Sequence, residues 1–294
     1  MKPVLTELDG DISLEKKGFE KICDIELLKR KAVDIRRDII KMIYLAGSGH
    51  LGGSLSIADI VTALYFNILN HDPSDPLWVE RDRFILSKGH AVPAQYAALA
   101  ETGYFSKEKL WTLRKLGSDL QGHPAMHKLA GIEASTGSLG QGISIAVGLA
   151  LSLKMRKSNS MVFTIVGDGE CQSGEVWEAA MAAAHYNVNN LIVIVDRNGL
   201  QIDGETEKIM SVEPLSEKWK AFGWDVTHMN GNNMEDIVKT TSNVLQNREK
   251  PSVIIAKTIK GKGISFMENN VSFHGKPPTA SEYERAIKEL GDIL

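Results

Sequence analysis

Asp168 stands in Thr164-Ile165-Val166-Gly167-Asp168-Gly169-Glu170, where an apolar run meets two glycines. The run reads as a buried strand, Met161–Val166, and Gly174–Asn187 as the helix that follows. Ligands of open α/β sheets sit beyond the C-terminal ends of the strands. Glycines there let backbone amides approach an anion, and a helix N-terminus favours phosphate. A carboxylate in that position repels phosphate unless a divalent cation lies between them. Asp168 therefore suggests a Mg²⁺–diphosphate site. The next strand, Leu191–Asp196, runs into Arg197-Asn198-Gly199-Leu200. Neighbouring parallel strands would bring Asn198 beside Asp168. A carboxylate, an amide oxygen, a backbone carbonyl, two diphosphate oxygens and a water would complete an octahedral shell. An ordinary turn with Asn198 as a helix cap would carry the same letters, but pairing at adjacent strand ends favours the metal reading.

The chain has eight histidines, and four stand beside glycine in loop positions: His50, His90, His123 and His274. Four repeats of one setting on separate loops point to convergence on a ligand. Imidazoles there could donate hydrogen bonds and shuttle protons near neutral pH. No HxxEH spacing occurs, so a zinc site is not expected. His71, His127, His185 and His228 read as structural or surface residues. Gly47-x-Gly49-x-x-Gly52 has the letters of a dinucleotide fingerprint but follows a helix, and Lys260-Gly261-Lys262-Gly263 lacks the spacing of a P-loop.

The elements that must hold these residues alternate along the chain. A helix is expected from Cys23 to Ala46, ended by Gly47-Ser48-Gly49, and a second from Ser56 to Leu69 with Ser56 as N-cap. A strand is expected at Arg83–Ser87 and helices at 92–101 and 106–115, followed by a long loop over 117–140. A buried helix spans Gly140–Met155, its small Gly140, Ser144 and Gly148 leaving room for another helix. Further strands are expected at Trp224–Met229 and Ser252–Thr258, with a helix over Asn233–Leu245 between them and a last helix over Ala280–Leu294. Strand–helix–strand alternation with wholly apolar strands predicts an α/β fold. Its sheet is doubly wound and mainly parallel, with helices on both faces. Residues 1–20 read as an N-terminal arm and 21–294 as one domain.

The 294 residues are 43% hydrophobic and 24% charged, enough for a sizeable core. A net charge of −3 excludes the basic field that nucleic-acid binding needs. Two distant cysteines exclude a disulfide framework, and no signal peptide or spanning segment is expected, which suggests a cytoplasmic protein.

Together the motifs resemble those of the thiamine-diphosphate enzymes, and specifically the transketolase family, from about residue 25 to 280. They are Ser48-Gly49-His50-Leu51-Gly52-Gly53, Ser87-Lys88-Gly89-His90, Gln121-Gly122-His123-Pro124, Thr136-Gly137-Ser138-Leu139-Gly140, Gly167-Asp168-Gly169, Asp196-Arg197-Asn198 and Phe273-His274-Gly275. The resemblance implies ketol transfer from a ketose to an aldose, both typically phosphates, with thiamine diphosphate and Mg²⁺. It implies metal ligation by Asp168, Asn198 and the Leu200 carbonyl. Gly167, Gly169, His90 and His274 would contact the diphosphate side, and Gly137, Ser138 and Leu139 would pass the aminopyrimidine. His50 and His123, with His274, would face the reacting sugar. Glu178 matches a glutamate that the family places near the subunit interface.

Many family members have proline at Leu51, asparagine at Lys88 and a second acidic residue at Ser173. Without that acid, communication between paired sites lacks its usual member, and Glu170 and Glu175 stand nearby. The chain covers only the diphosphate-binding part of a full transketolase. It is expected to be the N-terminal subunit of a split enzyme. A C-terminal subunit would carry the pyrimidine-binding domain and the activating glutamate, in a heterotetramer with two copies of each. An α-type subunit of a 2-oxo acid dehydrogenase shares the fold and Gly-Asp-Gly, and deoxyxylulose-phosphate synthase is similar around Gly-His-Leu-Gly. The Ser-Lys-Gly-His and Gln-Gly-His-Pro segments favour transketolase over both. A non-catalytic binding subunit would not need these histidines.

Overall fold

A computed structural model of the chain describes residues 18–291. The expected arm therefore lies outside the described residues as far as residue 17. Residues 18–21 are tied to the body: the Phe19 amide donates to the His71 carbonyl at 2.7 Å, and Lys21 Nζ to the Ile68 carbonyl at 2.8 Å. Among the described residues the helices are α1 (Ile25–Ala46), α2 (Leu51–Ser56), α3 (Ala58–Ala63), α4 (Val92–Glu101), α5 (Gln141–Met155), α6 (Gly174–His185), α7 (Thr206–Ile209), α8 (Leu215–Ala221), α9 (Met234–Gln246) and α10 (Ala280–Gly291). The strands are β1 (Arg83–Leu86), β2 (Val162–Gly167), β3 (Leu191–Arg197), β4 (Leu200–Gln201), β5 (Gly204–Glu205), β6 (Asp225–Asn230) and β7 (Ser252–Lys257). None of the described helices is long and apolar enough to cross a membrane.

Five strands form one parallel sheet in the order β1-β2-β3-β7-β6, and β4 and β5 make a separate small antiparallel hairpin. Alternation along each strand builds two cores. Phe163, Ile165, Ile192, Ile194 and Ile254 face the layer that contains α1, α3, α4 and α10. Val162, Val166, Val193, Val195 and Val253 face α5, α6 and α8. Helices on both faces of a parallel sheet are the predicted doubly wound arrangement. Because all five strands point the same way, the loops after β1, β2, β3 and β7 gather at one edge.

The local grammar of the elements is mostly as expected. Asp24 caps α1 through bonds to the amides of Glu26 and Leu27, and Gly47 ends it in left-handed backbone at φ +60°. Three expectations change. The second helical region starts at Leu51 rather than Ser56, because Gly52 and Gly53 are helical positions of close approach. A Cβ on Gly52 would lie 2.9 Å from Lys260 Cγ. Ser56 is thus no N-cap, and its hydroxyl bonds the Asp196 carboxylate and the Gly53 carbonyl. The segment expected to be helical at 106–115 makes only a 3₁₀ stretch, Lys107–Thr112, and then turns at Arg114. In α5 the close approach occurs at Gly142, where a Cβ would fall 2.4 Å from Ser87 Cα, whereas Gly148 has open space around it.

The first layer is pinned by a buried ion pair. Arg36 on α1 holds Asp59 on α3 bidentately, at 2.9 and 2.6 Å, and Asn232 Nδ2 adds a third bond to Asp59 at 3.0 Å. Arg36 Nε also reaches the Lys262 carbonyl at 3.0 Å, so one guanidinium joins α1, α3 and the segment after β7. Burial alone would raise the Asp59 carboxyl, but Arg36 and Asn232 hold it below the usual carboxylate range. Removing one partner leaves a buried charge unpaired. Asp59→Ala is expected to lower the unfolding free energy by about 3–5 kcal/mol in a denaturant titration. A loss under about 1 kcal/mol would show that the pair does not hold the layer.

Candidate cofactor site

Registers Gly167↔Asp196 and Val166↔Val195 set the ends of β2 and β3 side by side. Asp168 follows directly and is buried. Its Oδ1 accepts from the Gly169 amide at 2.7 Å, and its Oδ2 from the Gly199 amide at 2.6 Å and Arg197 Nη1 at 3.0 Å. Burial, reinforced by Asp196, raises its carboxyl against the opposing pull of these donors. Asn198 Oδ1 accepts from the Leu200 amide at 3.0 Å, and the Leu200 carbonyl accepts from Lys260 Nζ at 3.1 Å. A carboxylate oxygen, an amide oxygen or a carbonyl oxygen each has two lone pairs. Asp168 Oδ1, Asn198 Oδ1 and Leu200 O each keep one, and all three residues line the same cavity. This donor set suits a hard, oxygen-seeking cation.

The four glycine-flanked histidines come together against that cavity. His50 lies 5.2 Å from His90, 6.2 Å from His123 and 5.5 Å from His274, centroid to centroid, and His90 lies 5.4 Å from His274. Glycines make the convergence possible. A Cβ on Gly89 would lie 2.7 Å from Thr136 Oγ1, and one on Gly137 (φ +154°) would lie 3.2 Å from the His123 ring. Burial lowers all four imidazoles, and neighbouring cations push the same way. His50 falls to about 4 and His274 to about 3, so both rings are neutral at physiological pH. His50 Nδ1 is buried without a hydrogen-bond partner. Neutral rings with free nitrogen atoms can accept a hydroxyl proton and return it.

Of the remaining expected residues, Gly137, Leu139, Gly167 and Gly169 line the cavity. Ser138 is exposed and does not line it. His71, His127, His185 and His228 lie elsewhere, as expected. His71 is buried between the Tyr104 hydroxyl and the Tyr65 carbonyl. Glu178 is exposed on α6. Glu170 is buried and faces inward, so it supplies no surface acid in place of Ser173. Its carboxylate collects Ser87 Oγ at 2.5 Å and the amides of Gly140 and Gly167, both at 2.9 Å.

Two lysines and one carboxylate escaped the sequence reading of the site. Lys88 Nζ is buried and pairs with Asp196 at 2.5 Å. Lys260, dismissed with its false P-loop, sits in the cavity wall between the Leu200 carbonyl and His274 Nδ1, at 2.8 Å from the latter. Burial and then Lys88 bring its ammonium down to about 8. Lys88 and Lys260 share a readable signal: each stands just past the C-terminal end of a buried parallel strand. Asp196 accepts from Ser56 at 2.7 Å, Asn198 Nδ2 at 2.9 Å and Thr258 as well as Lys88. Burial would raise its carboxyl, yet Lys88 and these hydroxyls hold it low.

The cavity encloses about 380 Å³. Oxygen donors stand at one side, two cations at its wall and neutral imidazoles at its face. Such a site suits a metal-bridged diphosphate with room beside it for a polyol.

Comparison with known proteins bears on which diphosphate. Residues 28–292 match the family described as transketolase, thiamine diphosphate binding domain. The chain is 44% identical over 270 residues to an apulose-4-phosphate transketolase subunit from Phocaeicola vulgatus, covering 92% of this chain and 96% of that one. It is 46% identical over 263 residues to the 6-deoxy-6-sulfo-D-fructose transketolase subunit SqwG of a Clostridium species, covering 90% and 96%. The crystal structure of transketolase from Campylobacter jejuni superposes with a TM-score of 0.86 at 33% identity, covering 91% of this chain and 43% of that one. The chain thus spans less than half of a full-length transketolase and nearly all of the two subunits. It belongs to the transketolase family, where it corresponds to the thiamine diphosphate-binding domain.

Proposed function

We propose that this chain is the N-terminal subunit of a split transketolase. It transfers a two-carbon ketol unit from a ketose to an aldose, with Mg²⁺ and thiamine diphosphate. The observation that carries the reading is the convergence of four neutral histidines on a cavity that also holds the Asp168, Asn198 and Leu200 oxygens. The names of the relatives support sugars with an anionic terminus, a phosphate or a sulfonate. Two free cysteines among the described residues fit a reducing cytoplasm.

Thiamine diphosphate, when bound, supplies the nucleophile and electron sink for carbon–carbon cleavage. Everything else falls to this chain's residues and those of a partner. Asp168, Asn198 and the Leu200 carbonyl would hold Mg²⁺. Lys88, Lys260 and His90 would face the remaining diphosphate charge. His50 and His123 would orient the sugar, take a hydroxyl proton as the donor is cleaved and return it when the acceptor is joined, with His274 close by. Gly137 and Leu139 would shape the side next to the pyrimidine. A partner subunit with the pyrimidine-binding domain would cover the cavity and supply the activating carboxylate, in a complex of two copies of each chain.

The test is to purify the chain with whatever accompanies it and measure ketol transfer among phosphorylated and sulfonated ketoses. A second chain in equal amount together with transfer supports the reading. A stable complex that instead oxidises 2-oxo acids with an artificial electron acceptor would assign the chain to the dehydrogenase class.

Asp168→Ala is expected to abolish Mg²⁺-dependent retention of the cofactor in calorimetric titration of the assembled complex. Normal affinity in that variant would remove Asp168 from the metal. His123→Ala is expected to lower kcat by roughly a hundredfold while changing cofactor affinity by less than about threefold. Equal losses in both would make His123 a structural residue.

A further inference from the structure

Arg114 takes part in none of the roles above, yet it touches both loops that bring histidines to the sugar side. It follows the 3₁₀ stretch in left-handed backbone at φ +58°, an uncommon conformation for a residue with a side chain. Its amide closes the turn onto the Leu120 carbonyl at 2.9 Å. The half-buried guanidinium donates from Nη1 to Ser48 Oγ at 3.2 Å and from Nη2 to the Gly122 carbonyl at 3.3 Å. Among the described residues these are its side-chain partners, and neither is a carboxylate.

The two partners have telling places. Ser48 precedes His50 by two residues, and Gly122 directly precedes His123. Gly122 has its neighbour's bulk where a side chain would go: a Cβ there would lie 2.6 Å from Arg114 Cζ. On the other side the Tyr96 hydroxyl lies 3.2 Å from the Gln121 carbonyl and 3.3 Å from the His123 carbonyl. The His50 turn is bounded by Gly47 at φ +60° and Gly49 at φ +148°, so its own backbone offers little stiffness.

We propose that Arg114 is a positioning residue, whose guanidinium ties the turn carrying His50 to the turn carrying His123 and so sets the spacing of the two imidazoles. The inference rests on the reading of these histidines as the groups that meet the sugar. A planar fork with five donors can bridge two oxygens that a lysine ammonium cannot hold in the same plane.

The cation also bears on protonation. Burial lowers both rings first, and Arg114 is the next cause for each. His50 further feels His123, Lys260 and Lys88, with the His90 and His274 rings packed against it. His274 is lowered by burial, Lys260, His50 and Lys88, without Arg114.

The test uses Arg114→Met, which keeps a long side chain but removes charge and donors, and Arg114→Lys, which keeps the charge and donors but not the planar fork. In imidazole NMR titrations of the free chain, Arg114→Met is expected to move the His50 and His123 midpoints to higher pH and leave His274 in place. Arg114→Lys should leave all three near their wild-type positions. In the assembled enzyme both variants should lose kcat by roughly ten- to a hundredfold, the scale of a small misplacement of reacting groups, with cofactor affinity nearly unchanged. Full turnover of Arg114→Lys, or unmoved His50 and His123 midpoints in a folded Arg114→Met chain, overturns the proposal. The titration needs neither partner nor sugar. If no assembly transfers ketol units, the functional reading falls while the titration still decides the electrostatic coupling between Arg114 and the two histidines.

Discussion

Asp196 is fully buried at the end of β3 and receives hydrogen bonds from four stretches of chain. Ser56 comes from α2, Lys88 from the turn after β1, Asn198 from the turn after β3 and Thr258 from the end of β7. An ionised carboxylate without these donors would be too costly to bury. The pairing requires the four segments to meet at one point, and each carries or adjoins a residue of the cavity. His50 begins α2, His90 follows Lys88, Asn198 is itself a candidate ligand, and Lys260 follows Thr258. Glu170 does the same work on the opposite side, joining the ends of β1 and β2 to the start of α5.

Electrostatics in the cavity follow from this arrangement. Burial keeps the four imidazoles neutral, and Lys88 and Lys260 reinforce the effect on most of them. The positive charge that an anionic ligand needs is thus concentrated on lysines, while the neutral histidines keep a nitrogen able to accept a proton. A cluster of protonated histidines would supply charge but no acceptor.

Much of this was legible along the chain. The glycine-flanked histidines could be picked out because glycine beside histidine in a loop is a local pattern, and their loops do meet. Gly-Asp-Gly could be placed because a wholly apolar run marks a central strand. The remaining residues depend on contacts between distant segments. Ser56 read as a cap because serine before an apolar stretch usually is one, whereas here its hydroxyl serves a carboxylate far away in sequence. Gly52 read only as the last letter of a false dinucleotide fingerprint, although its missing side chain makes room for Lys260. Glu170 stands in a polar stretch and Arg114 in a segment expected to be helical, and neither periodicity nor spacing marks a side chain whose role is to join two turns. The β4–β5 hairpin was missed because each strand has only two residues.

The links centred on Asp196 and Glu170 also bear on the thermodynamics of loading. The oxygens of Asp168, Asn198 and Leu200 are each already held by a hydrogen bond within the chain. Little conformational entropy would be left to lose there on binding the proposed cation, because the ordering accompanied folding. Association of the proposed ion and its anionic partner at this end of the cavity would then be governed by their dehydration, with a correspondingly small heat-capacity change. The larger heat-capacity term would belong to a partner surface closing over Leu139 and Ile202, which are exposed where they line the cavity.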